Sequence, residues 1–160
     1  MKIRASLLAL AIVAVASSAL AADTKVYPGM ACQAYNSSFT YIDDGTGAIK
    51  STNAGSLFRF TCPIVRDQNL GTTSYSVSVT VDDVSTTQNV ACLGYARTST
   101  GTTVSFGSNG TSIAGTGVST MSFTVPTTGS GANDYFHMYC DLHNNAKVRS
   151  YKVTESTQTG

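Results

Sequence analysis

The chain reads as an all-β protein: an antiparallel β-sandwich, jelly-roll- or Ig-like, with about eight to nine strands and two disulfides. Three observations carry that expectation. Apolar and polar residues alternate in short segments, most cleanly in Tyr75-Ser76-Val77-Ser78-Val79-Thr80-Val81, and a period of two marks a strand with one buried face. No run of ten residues keeps the 3.6-residue apolar period of an amphipathic helix. Turn signals such as Asp44-Gly45 and Asn109-Gly110 punctuate these segments, at intervals of roughly 8–15 residues, as in sandwiches and barrels. A sandwich is preferred because a two-sheet core is readily stapled by disulfides between residues far apart in the chain.

The first residues are a targeting signal rather than part of the fold. Lys2 and Arg4 form a short positive region, an apolar run covers residues 7–16, and Ala19-Leu20-Ala21 supplies a small-x-small cleavage site. That pattern is a secretory signal peptide, and its apolar core is shorter than the ~20 residues a spanning helix needs. The expected organisation is a signal peptide at 1–21 and a single β-sandwich domain at 22–160, secreted or periplasmic, with no membrane insertion after cleavage.

In the domain, Lys25-Val26-Tyr27-Pro28-Gly29 reads as an entry segment closed by a Pro-Gly turn. Met30, Cys32 and Ala34 form the inward set of a first strand, and residues 39–42 make a second. Residues 48–52 return as a short edge strand after the Asp44-Gly45 turn. The central strand is Phe58-Arg59-Phe60-Thr61-Cys62, with Phe58, Phe60 and Cys62 inward and Leu57, Arg59 and Thr61 outward; Pro63, lacking an N–H, ends it. Residues 75–81 follow, then 88–97 with Val90 and Cys92 inward and Leu93 and Tyr95 outward. A turn at Ser99-Thr100-Gly101 leads into residues 102–106. Residues 107–119 read as the longest loop, with a brief strand at 112–114. Met121, Phe123 and Val125 define the next strand. Phe136, Met138, Cys140 and Leu142 then face inward while Tyr135, His137, Tyr139 and Asp141 face outward. Residues 147–155 close the domain with Tyr151 and Val153 inward.

The four cysteines, Cys32, Cys62, Cys92 and Cys140, are an even set in an exported chain and read as two disulfides. No two have the close spacing of zinc ligands. Of three possible pairings, Cys32–Cys62 with Cys92–Cys140 is favoured.

Charged residues make up 12% of the chain, and losing Lys2 and Arg4 lowers the formal net charge of +1 by two. Such a surface has no electrostatic footprint for nucleic acid or anionic lipid. A hydrolase would use His137 or His143, the only histidines, but the Gly-x-Ser-x-Gly elbow is missing and no cysteine is spare. Both histidines read as ordinary surface residues. Paired carboxylates at strand ends, chiefly Asp82 and Asp83, are weak candidates for calcium; aspartate is equally a turn former, so no metal and no cofactor is assigned. A sugar platform needs exposed aromatic faces. Tryptophan is absent, but Tyr35, Tyr95, Tyr135 and Tyr139 fall on or near one outward face and form the possible ligand face.

Tyr27-Pro28-Gly29 before Cys32, Cys62-Pro63 followed by Asp67, Val90-Ala91-Cys92-Leu93, Tyr139-Cys140-Asp141-Leu142 and Ser150-Tyr151-Lys152-Val153-Thr154-Glu155 together resemble a family of small exported bacterial proteins that is itself uncharacterised. The resemblance implies a two-disulfide β-domain and a bacterial source, and supplies no catalytic residue. The sequence therefore points to an exported, non-enzymatic module with a surface or matrix binding or structural role. The alternatives are a carbohydrate-binding module, with or without calcium, and a small secreted hydrolase. The partner is expected to be a glycan or an extracellular protein; oligomeric state is not read from the sequence.

Overall fold

The computed structural model describes residues 24–35, 41–43, 45–52, 57–65, 74–111, 116–126 and 134–155. These form strands β1 (Thr24–Pro28), β2 (Gln33–Ala34), β3 (Tyr41–Asp43), β4 (Ile49–Ser51), β5 (Phe58–Pro63), β6 (Tyr75–Asp83), β7 (Ala91–Arg97), β8 (Thr103–Gly110), β9 (Gly117–Val125), β10 (Tyr135–Leu142) and β11 (Lys147–Glu155), with one 3-10 turn at Gly29–Ala31. Two antiparallel sheets result. One has the order β3-β4-β11-β6-β9, with β1 also paired to β11; the other has the order β2-β5-β10-β7-β8. The fold is a β-sandwich with two disulfides.

Strand alternation builds the core. Phe58, Phe60 and Cys62 of β5, Tyr75, Val77, Val79 and Val81 of β6, Met138, Cys140 and Leu142 of β10, and Tyr151 and Val153 of β11 are all buried between the sheets. Burial of a large apolar side chain contributes about 1.5–3 kcal/mol, so this set dominates stability. The Tyr75 hydroxyl donates across the interior to the Tyr95 carbonyl (3.2 Å), and that of Tyr151 to the Pro63 carbonyl (2.8 Å). These bonds satisfy the polar ends of two buried rings and link the sheets.

The outer faces differ. On the first sheet they carry hydroxyls paired across strands, Ser76 with Thr124, Ser78 with Ser122 and Thr80 with Thr120. On the second they carry rings. Edge strands β8 and β9 close one flank: Asn109 Nδ2 donates to the Ser122 carbonyl at 2.9 Å, and the Ser105 hydroxyl to the Pro126 carbonyl. Gly107 makes this approach possible, because a Cβ there would collide with the Thr124 carbonyl.

Several expectations change. The entry segment is a strand, since β1 runs along β11 from Thr24 opposite Thr154 to Pro28 opposite Ser150. Met30 is not inward: it lies in the 3-10 turn and is exposed, which shortens the expected first strand to β2. Residues 48–52 are not an edge, because β4 sits between β3 and β11. The long loop at 107–119 shrinks because β8 runs on to Gly110 and β9 begins at Gly117. The favoured disulfide pairing is present, Cys32–Cys62 and Cys92–Cys140, at sequence separations of 30 and 48. Neither bond staples the two sheets, however. Cys92 lies directly opposite Cys140 on the neighbouring strand β7, and Cys32 immediately precedes β2, whose Gln33 pairs with Thr61 of β5. Both pin neighbouring strands of the ring-bearing sheet. The expected signal peptide at 1–21, Phe39, the brief strand at 112–114 and the tail at 156–160 lie outside the described residues.

Candidate functional site

Register places the outward side chains of the second sheet in rows across the strands. Pro63 of β5 lies opposite His137 of β10, His137 opposite Tyr95 of β7, and Tyr95 opposite Phe106 of β8. The adjacent row runs Gln33, Thr61, Tyr139, Leu93, Ser108. Alternation along β7 and β10 makes this arrangement, because residues two apart share a face. The four tyrosines singled out in the sequence do converge. Tyr139 meets Tyr35 edge-on at 5.6 Å and Tyr95 at 5.7 Å between ring centroids, and Tyr95 lies 6.2 Å from Phe106. Tyr35 is 64% exposed, Phe106 62% and Tyr135 44%. The result is an aromatic surface open to solvent, with rings at the separations and tilts that aromatic pairs favour.

Two guanidiniums border it. Arg59 sits 5.4 Å over the Tyr139 ring and donates to both carboxylate oxygens of Asp141, each at 2.8 Å. The hydrogen bond that Arg59 donates to Asp141 raises the Arg59 pKa, against a smaller opposing effect of burial. This two-pronged pair locks the side chain against the ring. Arg97 lies 5.1 Å over Tyr95. Burial raises the Tyr139 hydroxyl above its ordinary value, so that ring stays uncharged through the neutral range.

His137 is not the surface residue the sequence suggests. It faces outward, yet it is only 8% exposed. The rings of Tyr95 and Tyr135 stack against it at 5.5 and 5.6 Å, and Tyr139 meets it edge-on at 4.6 Å. Neither ring nitrogen has a hydrogen-bond partner among the described residues. Burial, helped by the charge of Arg97, pulls its pKa down to about 4, so the imidazole is neutral over most of the pH scale. Beside it opens a hollow of about 310 Å³ lined by Ala31, Gln33, Thr61, Pro63, Phe136 and His137.

His143 is also buried, in a different place. Its Nε2 lies 2.6 Å from Asp83 Oδ1 and its Nδ1 3.1 Å from the Asn144 carbonyl. Asp83 further accepts from the Ser85 N–H (3.0 Å) and the Thr111 hydroxyl. Burial by itself would raise the Asp83 carboxyl, but the hydrogen bonds from Thr111, Ser85 and His143 outweigh it and hold the group below its usual value. Both imidazole nitrogens face acceptor oxygens. The hydroxyl and the imidazole converge on the same carboxylate, so the imidazole does not stand beside Thr111 to activate it. A nucleophile–base–carboxylate chain needs the imidazole in the middle. Asp82, the other calcium candidate, turns to Arg149 at 2.8 Å. The two carboxylates are thus engaged with different partners, and among the described residues no group of three or more His, Cys, Asp or Glu is placed to hold a metal. No helix among those residues is long and apolar enough to cross a membrane.

Sequence reasoning missed Phe106, Arg59 and Arg97 as members of the face, and His137 as its buried centre. Phe106 was recoverable: a hairpin folded about Ser99-Thr100-Gly101 sets it opposite Tyr95. Two of the rings over His137, Tyr135 and Tyr139, stand two residues away on its own strand and share its face by alternation; the third, Tyr95, comes in from β7 and left no local mark.

No family model matches the sequence, and no curated protein matches it. Solved structures do. An arabinose-bound GH51 α-L-arabinofuranosidase superposes with a TM-score of 0.56 at 14% identity over 80% of this chain, which spans 23% of that enzyme. The C-terminal CBM6 of LamC, a marine laminarinase from Zobellia galactanivorans, gives 0.50 at 13% identity, covering 82% of this chain and 99% of the module. BiXyn10A CBM1 in its apo form gives 0.50 at 15% identity, covering 82% and 97%. At these identities the likeness is one of fold, and it agrees with the two-sheet sandwich.

Proposed function

We propose that this protein is an exported, non-catalytic glycan-binding module, delivered by removal of residues 1–21 and holding sugar on the outer face of its ring-bearing sheet. The observation that carries the reading is the solvent-open aromatic surface of Tyr35, Tyr95, Phe106, Tyr135 and Tyr139. Sugar rings present apolar C–H faces that stack on aromatic rings, while their hydroxyls remain free for rim groups such as Gln33, Thr61 and the two arginines. Contiguous exposed rings cost solubility and usually mark a binding surface. The solved structures similar to this chain include carbohydrate-binding modules, which supports the reading at the level of fold. Two disulfides suit life outside the cytoplasm. In the Asp83 cluster the imidazole and the Thr111 hydroxyl meet the same carboxylate rather than each other, which speaks against the hydrolase alternative. The test is affinity electrophoresis against immobilised soluble polysaccharides for the parent, Tyr95→Ala and Tyr139→Ala. Each truncation is expected to weaken retention by about five- to tenfold, near 1 kcal/mol per ring contact. Equal migration of all three on every polysaccharide would dismiss the proposal.

A further inference from the structure

His137 is the one polar group of the aromatic face that the face does not account for. A histidine serving only as a ring in a stack would still place its nitrogens on water or on a protein acceptor, because a buried polar atom left unpaired costs free energy. Here both nitrogens are buried and have no partner among the described residues, while three tyrosine rings hold the imidazole on its faces and edge. The space bordering the ring is the hollow against Ala31, Gln33, Thr61, Pro63 and Phe136. Its size falls at the lower end of small-ligand sites, about 300 Å³ upward, which suits a single sugar unit rather than a peptide segment.

The chemistry of the lining narrows the occupant. Pro63 and Phe136 offer apolar surface, Gln33 and Thr61 offer an amide and a hydroxyl, and among the described residues no charged side chain lines the hollow. An anionic sugar entering it would lose hydration without a cation to replace it. A neutral imidazole carries one donor and one acceptor nitrogen, matching a hydroxyl that can accept from one group and donate to another. The rows fix where the hollow lies relative to the platform. Phe106, Tyr95, His137 and Pro63 sit on four neighbouring strands, so a chain laid over the rings from β8 reaches the hollow across three strand spacings, about 14 Å.

We propose that this hollow is the specificity subsite of the glycan face: it seats one neutral sugar unit, with His137 as the group that reads its hydroxyls. The proposal rests on the glycan-binding reading above and adds to it which unit is discriminated, where, and by what. The tyrosines supply affinity with little preference among sugars; His137, Gln33 and Thr61 supply the preference.

The experiment uses imidazole ¹⁵N spectra of the oxidised protein, which contains only two histidines, and titrates in the methyl glycosides of glucose, galactose, mannose, xylose, arabinose and N-acetylglucosamine, with sodium glucuronate as the anionic comparison. At least one neutral glycoside is expected to shift the His137 ring nitrogens and fix one tautomer, with its epimers shifting them several-fold less and glucuronate leaving them unmoved. His143 should not respond. In parallel, His137→Phe, which keeps a ring in the stack, should retain binding of a neutral oligosaccharide to the tyrosines but lose about tenfold in affinity and most of the difference between epimers; His137→Gln, which restores a donor and an acceptor, should recover part of it. If the glycosides perturb tyrosine rings alone and His137→Phe discriminates as the parent does, the subsite is refuted while the platform stands. If no sugar perturbs either set and Tyr95→Ala migrates as the parent does, both fall together.

Discussion

Removing the Asp83 carboxylate should unfold the protein well before it disturbs the aromatic face. Asp83 and His143 are almost fully enclosed, at 1% and 2% exposure, and lie 2.6 Å apart. The carboxylate also accepts from the Ser85 N–H and the Thr111 hydroxyl, and Thr111 in turn accepts from the Val90 N–H at 2.9 Å. One anion therefore ties the end of β6 to the start of β7, the end of β8 and the turn between β10 and β11. In Asp83→Ala the imidazole and the hydroxyl keep their buried positions and lose their acceptor. Deleting one partner of such a pair costs about 3–5 kcal/mol, which in a domain of this size lowers the melting temperature by about 10–15 °C. Calorimetry on the oxidised protein at neutral pH reads this directly. His143→Ala should cost a similar amount, and the double variant less than the sum of the two, because the second deletion removes a group already unpaired. The pH dependence has a definite sign. The Asp83 carboxyl is held below its ordinary value of 3.8, so its contribution is complete above that value and disappears as pH falls through the lowered one. An Asp83→Ala protein melting within about 2 °C of the parent would refute the reasoning, since a cost below 1 kcal/mol belongs to exposed pairs.

Other outcomes follow from the same structure. His137 is held neutral to about pH 4 by burial and by Arg97, against an ordinary value of 6.5, so the unfolded chain binds a proton that the folded one refuses; as pH falls between these two values stability should drop by about 1.5–3 kcal/mol, the lower figure allowing for solvent screening. In His137→Phe, urea titrations at neutral pH and near pH 4 should show that loss reduced. Gly107→Ala forces β8 away from the Thr124 carbonyl and should cost 2 kcal/mol or more, on the order of an overpacked core position, with faster amide exchange along the β8–β9 seam. Reduction of the Cys92–Cys140 bond, which closes a separation of 48 residues, should cost about 2–5 kcal/mol. It should also loosen the platform, because Tyr95 and Tyr139 stand on the two strands that the bond joins.

The strands that could be read in advance are those whose two faces meet different media. β5, β6, β10 and β11 each bury one face and expose the other, so the alternation of Phe58 and Phe60 or Val77 and Val79 states their geometry outright. The outward set of tyrosines followed from the same periodicity, whereas the favoured disulfide pairing, which the structure has, was one of three that periodicity left open. β1 escaped because little of it is buried: Val26 is 68% exposed, and the segment is a strand only through its pairing with β11. Periodicity reports which face is inward and carries nothing about which strand lies alongside, so the sheet that holds both disulfides and the interior place of β4 were out of reach. The histidines mark the same boundary. His137 stands where alternation puts it, on the outside, but Tyr135 and Tyr139 close over it from its own strand and Tyr95 from β7 through register. His143 reads as a turn residue and is one, yet Asp83, 60 positions earlier, turns that corner into an interior.

The central claim is that the outer face of the ring-bearing sheet holds sugar. It is tested most directly by mapping aromatic ¹H–¹³C resonances while a neutral oligosaccharide retained by the protein in electrophoresis is titrated in. The account predicts saturable shifts at Tyr95, Tyr139, Tyr35, Tyr135 and Phe106, with buried Tyr75 and Tyr151 unmoved. Shifts confined to residues at the strand ends or on the hydroxyl face of the other sheet, with those five rings silent, would contradict it.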